Sequence, residues 1–284
     1  MYELREIKKP WPISQSQINL FSKCKLLFYF RYLTNIGDLS TIWPGNLFGK
    51  TEHAILEEIL KIIIEGRRDE NDILRSIKGM FPEKFEALRI AAGKRWGVSR
   101  EYNKDVFNTD GEKYARVLAS FINKLIPQQF SKLQPEFRLS IPYDEYVNVM
   151  GIIDIVLFHD ENKYEIFDLK ITTDSKKYYF VDWEYEFQSL MYEYLTQNEF
   201  KNKMDAFTFV VLNRHEKALF LKQRILSLDV DQRLDDEKYK DLHFAIKELR
   251  DFIFNIPEDL KKLKCNQYNE CRWCSYKKEY CDKI

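Results

Sequence analysis

Two apolar runs separated by a short polar turn constrain the fold of this chain more than any other feature. Residues 152–158 form the first run, His159 to Lys163 form the turn, and residues 164–171 form the second run. Runs of this length, rich in Ile, Val, Phe and Tyr, are typical of buried β-strands, and so short a turn favours antiparallel pairing. The pattern therefore predicts a β-hairpin.

Each strand of this predicted hairpin carries a carboxylate. Asp154 lies in the first run, and Asp168-Leu169-Lys170 lies near the end of the second. Side chains alternate along a strand, so Asp168 and Lys170 share a face, and the two acids can meet on adjacent strands. Two carboxylates can hold a hard divalent cation beside a Lys that lies near an attacking water, which outlines a phosphodiester-cleaving site. An Asp-x-Lys triplet is common by chance, so its weight depends on the rest of the chain.

The remaining pattern predicts helices on both sides of the hairpin in sequence. Ser14 is a suitable N-cap for a first helix that continues to about Tyr32, and residues 49–66 predict a second. The stretch 70–130 reads as a helical insertion or cap, with breaks near Pro82, Gly93–Gly97 and Thr109–Gly111. Strands, including those of the hairpin, are expected at about 137–142, 146–157, 164–171, 205–213 and 217–226, and further helices at about 184–199 and 236–254. This order predicts a mixed α/β core with the acidic hairpin central.

Three polar residues in the predicted helices are candidates to join the two acids. His53 follows Gly49 by four residues; it is either a solvated helix residue, as a lone His usually is, or a third metal ligand. Gln188 and Tyr192 are four residues apart and share a helix face. They are either ordinary surface and core residues or neighbours of the metal cluster that orient a phosphate or the Lys.

The cysteines point to a second metal. Four of the five lie close together in the C-terminal tail, at Cys265, Cys271, Cys274 and Cys281, and the fifth is Cys24. Thiolates at this spacing suit both zinc and an iron–sulfur cluster. The tail can bind zinc by itself, or Cys24 can fold together with Cys271, Cys274 and Cys281 around an iron–sulfur cluster. Either metal would tether a tail that has few apolar residues of its own.

Composition limits the partners and the compartment. The 284 residues suffice for one large or two modest domains, and 45 basic and 45 acidic residues give zero net charge. A nucleic-acid partner would therefore need a local basic groove or bound metal ions. No apolar stretch approaches the roughly 18–20 residues of a membrane span, and the N-terminus has no apolar signal core. We expect no membrane partner and a cytoplasmic, reducing environment, where clustered cysteines more often bind metal than form disulfides.

Taken together, the motifs resemble a known group of enzymes. Their order in the chain is Ser14-x-Ser16-x-Ile18-x-x-Phe21-x-x-Cys24, Gly49-x-x-x-His53, Gly151-x-x-Asp154, Asp168-x-Lys170, Gln188-x-x-x-Tyr192 and the cysteine tail. This order resembles the RecB-like nucleases of the PD-(D/E)XK superfamily, and within them the iron–sulfur branch of CRISPR-associated RecB-like exonucleases and the AddB nuclease domain. The resemblance covers about residues 11–66 and 136–284. No single motif is decisive, but five in register are specific.

The resemblance implies a role for each matching residue. The ligands of Mg²⁺ or Mn²⁺ would be His53, Asp154 and Asp168. The catalytic and supporting residues would be Asp154, Asp168, Lys170, Gln188 and Tyr192. The ligands of a [4Fe–4S] cluster, with zinc as the lesser alternative, would be Cys24, Cys271, Cys274 and Cys281.

The chain also departs from the family pattern. Lys25 follows the first cysteine, where the family often has Pro, and six residues separate Cys274 from Cys281, where five are usual. Cys265 is an additional thiol and therefore the reserve candidate for one cluster ligand. Residues 70–130 match no motif, and we expect them to influence the choice of substrate.

The resemblance leads to an expected fold, organisation and function. The fold would be α/β, a restriction-endonuclease-like mixed sheet flanked by helices. The expected parts are N-terminal helices (1–66), a helical insertion (67–135), the nuclease core (136–255) and a metal-stapled tail that packs on the first helix (256–284). We expect a Mg²⁺- or Mn²⁺-dependent deoxyribonuclease, an exonuclease on single-stranded or end-containing DNA. The alternatives are an inactive nuclease-like module that binds nucleic acid or a larger complex, and a zinc-stapled RNA-binding protein.

Overall fold

A mixed β-sheet with helices on both faces forms the core of the protein. The computed structural model describes residues 3–36, 38–39, 42–93, 96–97, 103–160, 163–172, 183–200, 203–213, 218–225 and 239–263, and residues 274, 276, 280 and 281. The strands are β1 (Trp11–Ser14), β2 (Lys132–Pro142), β3 (Val147–Phe158), β4 (Lys163–Thr172), β5 (Lys203–Asn213) and β6 (Ala218–Ile225). The α-helices among these residues are α1 (Gln15–Lys23), α2 (Lys25–Phe28), α3 (Pro44–Ile64), α4 (Glu70–Ser76), α5 (Met80–Ala92), α6 (Lys104–Leu125), α7 (Trp183–Glu199) and α8 (Lys240–Phe254). A π-helical turn (Tyr29–Leu33) follows α2, and a 3₁₀ turn (Leu260–Leu263) follows α8.

The predicted hairpin lies at the centre of this sheet. The strand order is β1-β3-β4-β5-β6, and β2 pairs with β3 outside that path. β3 and β4 are antiparallel, β4 and β5 are parallel, and β5 and β6 are antiparallel. The helix α7 lies between β4 and β5 in sequence, as a parallel connection requires. The predicted mixed α/β core is therefore confirmed.

The two faces of the sheet carry separate apolar cores. The first core joins the sheet to α1, α2, α7 and α8. The second core joins it to α3, α4, α5 and α6. The sequence pattern predicts a helical insertion at residues 70–130, and the helices of this stretch form most of the second core together with α3. The sheet is therefore covered on both sides along β4, which explains why the four consecutive residues Ile166 to Leu169 are all buried.

β3 is irregular at Asp154. Residues two apart in a regular strand share a face, yet Ile153 is buried in the first core and Ile155 in the second. Glu136 of β2 lies opposite Asp154 in the antiparallel register and has a φ of 44°, which is uncommon for a residue other than glycine. The β2–β3 ladder is therefore interrupted at the first acid of the hairpin, between the pairs Pro135–Ile155 and Phe137–Ile153.

The first predicted helix is divided in two. It starts as expected, because Ser14 accepts a hydrogen bond from the Gln17 amide while the Gln17 side chain accepts one from the Ser14 amide. It does not continue to Tyr32, because Cys24 has an extended conformation that ends α1. The Cys24 sulfur then accepts a hydrogen bond from the Leu27 amide at 3.3 Å and caps α2.

The break predicted at Thr109–Gly111 is wrong. Helix α6 runs through it without interruption, and Gly111 is buried there. A Cβ atom at Gly111 would lie 2.2 Å from ring carbons of Phe81 in α5. Gly111 therefore allows α6 to pack closely against α5 and does not end a helix. The break predicted near Pro82 is confirmed, since α4 ends at Ser76 and α5 begins at Met80. Pro82 lies in the first turn of α5, where its missing amide costs little.

No helix within the described residues is long and apolar enough to cross a membrane.

Candidate active site

The candidate site lies at a gap in the pairing of β3. Along the edge of β3 that faces β4, pairing with β1 ends at Met150 and pairing with β4 begins at Ile155. Between Met150 and Ile155, side chains form hydrogen bonds with main-chain groups of β3 and β4. The Tyr192 hydroxyl donates to the Ile152 carbonyl at 2.7 Å, and the Leu169 amide donates to Asp154 Oδ2 at 2.7 Å. These bonds satisfy main-chain groups that a regular ladder would otherwise pair, and they leave β3 and β4 separated at the two acids.

Each of the two acids contacts a basic side chain of the protein. Asp168 Oδ2 lies 2.5 Å from Lys170 Nζ, and Asp154 Oδ1 lies 3.2 Å from His53 Nδ1. His53 comes from α3, so the second-core helices supply one corner of the site. The Asp168 side chain is almost fully buried, whereas His53 remains 34% exposed. The site is therefore open to solvent on its His53 side.

A chain of hydrogen bonds holds the second acid. Gln188 Nε2 donates to Asp168 Oδ1 at 3.0 Å and lies 3.1 Å from the Tyr192 hydroxyl, which donates in turn to the Ile152 carbonyl. All of these side chains are buried. The carboxylate of β4 is thus connected through α7 to the backbone of β3, and its orientation depends on where α7 packs.

Burial and charge set the protonation of these groups. Burial raises the pKa of Asp168 to about 6, with Lys170 opposing the rise and Asp154 adding to it. Burial acts to raise the pKa of Asp154 as well, but the charge and hydrogen bond of His53 outweigh it and hold that pKa below its usual value. Burial would lower the pKa of His53, yet the Asp154 carboxylate raises it overall. Burial also raises the pKa of Tyr192, which therefore stays a hydrogen-bond donor.

Gly151 allows the hydrogen-bond chain to reach β3. A Cβ atom there would lie 2.7 Å from Leu195 Cδ1 and 3.0 Å from Tyr192 Cε1. The ring of Tyr192 can lie against the strand only because position 151 has no side chain. The sequence carries a signal for this, since a glycine within a strand pattern often marks close approach of another group.

Replacing Gly151 by Ala should therefore destabilise the protein. We expect the free energy of unfolding to fall by about 1–3 kcal/mol, as for other substitutions that overfill a packed core. The matched control is Gly49→Ala in α3, where a Cβ atom would meet nothing within 4 Å; it should be neutral or stabilising by up to about 1 kcal/mol. Urea unfolding of both variants measures the difference, and equal effects would show that Tyr192 is not held as described.

The donor chemistry of the site suits a hard divalent cation. Two carboxylates and an imidazole are nitrogen and oxygen ligands that Mg²⁺ or Mn²⁺ accepts. His53, Asp154 and Asp168 are close enough to shift one another's pKa values. Across the described ranges, however, no three His, Cys, Asp or Glu side chains converge closely enough to surround an ion. His53 contacts an oxygen of Asp154 and Lys170 contacts an oxygen of Asp168, and a bound cation would use the same oxygens.

Each cysteine within the described residues packs in or against the first core. Cys24, Cys274 and Cys281 all pack there, with Cys24 only 9% exposed. The tail returns to the N-terminal segment through Tyr276, which stacks on Phe30 with 6.0 Å between ring centroids and accepts a hydrogen bond from the Leu39 amide at 2.7 Å. The remaining tail cysteines, Cys265 and Cys271, lie outside the described residues.

Comparisons with known proteins place the chain in a family. A sequence profile described as the PD-(D/E)XK nuclease superfamily matches residues 12–282. No curated protein matches the chain. One similar solved structure, described as the crystal structure of SSO0001, has 12% sequence identity and a TM-score of 0.35 over 95% of this chain and 96% of its own.

The match to the superfamily profile covers nearly the whole chain, including every residue of the site. It does not distinguish the iron–sulfur branch, which stays a prediction. Members of the superfamily are usually metal-dependent nucleases that use Mg²⁺ or Mn²⁺. On this evidence, the chain belongs to the PD-(D/E)XK nuclease superfamily.

Proposed function

We propose that this protein is a metal-dependent deoxyribonuclease that hydrolyses phosphodiester bonds at the gap in β3. We further propose that it is an exonuclease on single-stranded or end-containing DNA. The observation that supports the proposal is the convergence of Asp154, Asp168 and Lys170 at that gap, beside His53. A chain of zero net charge has no overall attraction for a polyanion, so a cation bound at this site would favour DNA binding.

Each residue of the candidate site has its own role in this proposal. His53, Asp154 and Asp168 hold Mg²⁺ or Mn²⁺, and a bound cation supplies positive charge at the phosphate and makes water more acidic. Gln188 and Tyr192 keep the Asp168 carboxylate in one orientation through the chain of hydrogen bonds.

Lys170 acts on the reacting groups. It lies one alternation beyond Asp168 on β4, and only 19% of its side chain is exposed. Its ammonium is therefore held beside the carboxylates in a partly desolvated position. There it can orient the attacking water or stabilise negative charge that develops on the phosphate, where such groups are worth more than in bulk water.

One observation favours a second candidate, an inactive nuclease-like module that binds nucleic acid or a larger complex. Both acids contact basic side chains of the protein, which offset their negative charge in part without a metal. In that case His53 and Lys170 would be structural partners of the acids.

Cleavage of end-labelled DNA separates the two candidates. Single-stranded and double-stranded DNA, and RNA of the same sequence, are incubated with Mg²⁺, with Mn²⁺ or with EDTA. We expect DNA products that shorten from an end, only when metal is present. Binding without any cleavage in either metal would support the inactive module instead.

We also propose that the cysteine tail binds a [4Fe–4S] cluster through Cys24, Cys271, Cys274 and Cys281. The proposal is supported by the packing of three of these residues, Cys24, Cys274 and Cys281, in one core although most of the chain separates the first from the others. Zinc remains the alternative, since thiolates bind both.

Replacing Cys24 by Ser tests this proposal against a site confined to the tail. We expect brown wild-type protein, and a variant that loses its visible absorption and unfolds at a lower temperature, because the cluster ties the two ends of the chain together. Cys265→Ser is the control and should keep its colour. Full metal content in Cys24→Ser together with metal loss in Cys265→Ser would indicate a four-cysteine site in the tail.

A further inference from the structure

One half of β3 has an open face. From Val147 to Asp154 the strand alternates between buried and more exposed residues, and from Ile155 to Phe158 every residue is buried. Strict alternation is the mark of a sheet with one face in solvent. The helices of the second core therefore cover the sheet from Ile155 onward, and their cover ends at Asp154, where His53 of α3 makes its contact.

Two residues of β3 on this open side are apolar, although solvent would favour polar ones there. Met150 is half-buried and Ile152 is 39% exposed, and both lie on the same face of β3 as Asp154. On the adjacent strand β2, Ser140 pairs with Met150 and Arg138 pairs with Ile152. We call these four residues, Arg138, Ser140, Met150 and Ile152, the open face. An apolar residue at an exposed strand position is the informative exception to ordinary patterning.

The open face carries a cation next to its apolar residues. The Arg138 side chain is 74% exposed, and its nearest acid, Glu136, lies 3.8 Å away. An exposed pair at that distance contributes little stability, so the guanidinium can exchange Glu136 for a phosphate at small cost. The combination of a cation with apolar side chains along a strand matches the two parts of a nucleotide, its phosphate and its base.

We propose that the open face binds a single nucleic-acid strand and leads it to Asp154, with Arg138 on a phosphate and Ile152 and Met150 against bases or sugars. The inference rests on the proposed nuclease function and adds the path and strandedness of the substrate. The face is continuous with the site, since Ile152 is two residues from Asp154 on one strand. A duplex stacks its base faces inward and would gain nothing from Ile152, whereas an unpaired strand can turn its bases onto a sheet.

Binding of fluorescein-labelled single-stranded and duplex DNA, measured by anisotropy in EDTA so that the DNA stays intact, tests the proposal. The variants are Ile152→Thr and Arg138→Gln. Their matched controls are Ile90→Thr in α5, which is 65% exposed, and Arg75→Gln in α4, whose side chain is 75% exposed and also pairs with a nearby acid.

We expect Ile152→Thr to weaken single-strand binding by roughly 3- to 10-fold, since the lost contact is smaller than that of an aromatic ring. Arg138→Gln should weaken it and also reduce the slope of log K against log salt by about 0.7, the value for one phosphate contact on a single strand. Duplex binding and both controls should stay unchanged.

Three results would overturn the inference. The first is that the wild-type protein binds no single-stranded DNA. The second is that the variants bind single strands as tightly as their controls do. The third is that the variants lose affinity equally for single strands and for duplex DNA. Cleavage by wild-type protein, assayed in parallel, shows whether the proposed nuclease function survives such a result.

Discussion

Replacing Asp168 by Asn should abolish DNA cleavage while leaving the fold intact. The substitution removes one of two carboxylates at the gap in β3 but keeps the size of a side chain that is 2% exposed. We expect the rate to fall by on the order of 10³-fold or more, because the charge that positions the cation at the phosphate is lost. The measurement is cleavage of end-labelled DNA in Mg²⁺, with circular dichroism to confirm the fold.

Glu165→Gln is the matched control. Glu165 lies on the same strand three residues earlier, where it contacts His159 at 3.4 Å rather than the site. The control should cleave at the wild-type rate. Near-normal cleavage by Asp168→Asn would contradict the proposed mechanism.

Although Asp168→Asn should abolish cleavage, it should make the metal-free protein more stable than wild type as pH rises. The pKa of Asp168 is raised from 3.8 to about 6 by burial, so the folded state holds a proton that the unfolded chain releases between these values. Stability from this group is therefore present at low pH and lost as pH rises from about 4 to about 6. Over that range, the free energy of unfolding measured in EDTA should rise for Asp168→Asn relative to wild type by roughly 3 kcal/mol. A difference that does not change with pH would show that Asp168 is ionised throughout.

Replacing Lys170 by Met should slow cleavage far more than it weakens metal binding. An ammonium cannot ligate a cation, so its loss removes charge stabilisation at the phosphate while the carboxylates remain. Loss of one such group costs on the order of 10²–10³ in rate. The rate is measured at saturating Mn²⁺, and Mn²⁺ affinity is measured separately by calorimetry.

Lys163→Met is the control for Lys170. Lys163 begins the same strand, but its side chain is 54% exposed and lies 3.6 Å from Asp205, away from the acids. It should retain the wild-type rate. If Mn²⁺ binding is lost in Lys170→Met and cleavage follows metal occupancy, Lys170 is a structural partner of Asp168 and not a catalytic residue.

Much of the candidate site could be predicted from local pattern. The apolar runs predicted β3 and β4, and side-chain alternation placed Asp168 and Lys170 on one face, where they form an ion pair. Helical spacing placed Gln188 and Tyr192 together, and they are hydrogen-bonded. These relations depend on a repeat of two or of 3.6 residues along one element, which a sequence displays directly.

The parts that could not be predicted depend on how separate elements meet. The irregularity at Asp154 involves Glu136 of the neighbouring strand, and the gap in β3 depends on where β1 ends. Likewise, Gly111 looked like a helix breaker because its neighbour Phe81 is thirty residues away in sequence. Tertiary packing overrode the local preference of that glycine.

Anomalous scattering from crystals soaked in Mn²⁺ tests most directly the claim that the gap in β3 is a metal-dependent catalytic site. We expect a manganese peak in contact with both Asp154 and Asp168, and no such peak in crystals of Asp168→Asn. An enzyme that cleaves DNA in Mn²⁺ while its crystals show no manganese at these carboxylates would contradict this claim.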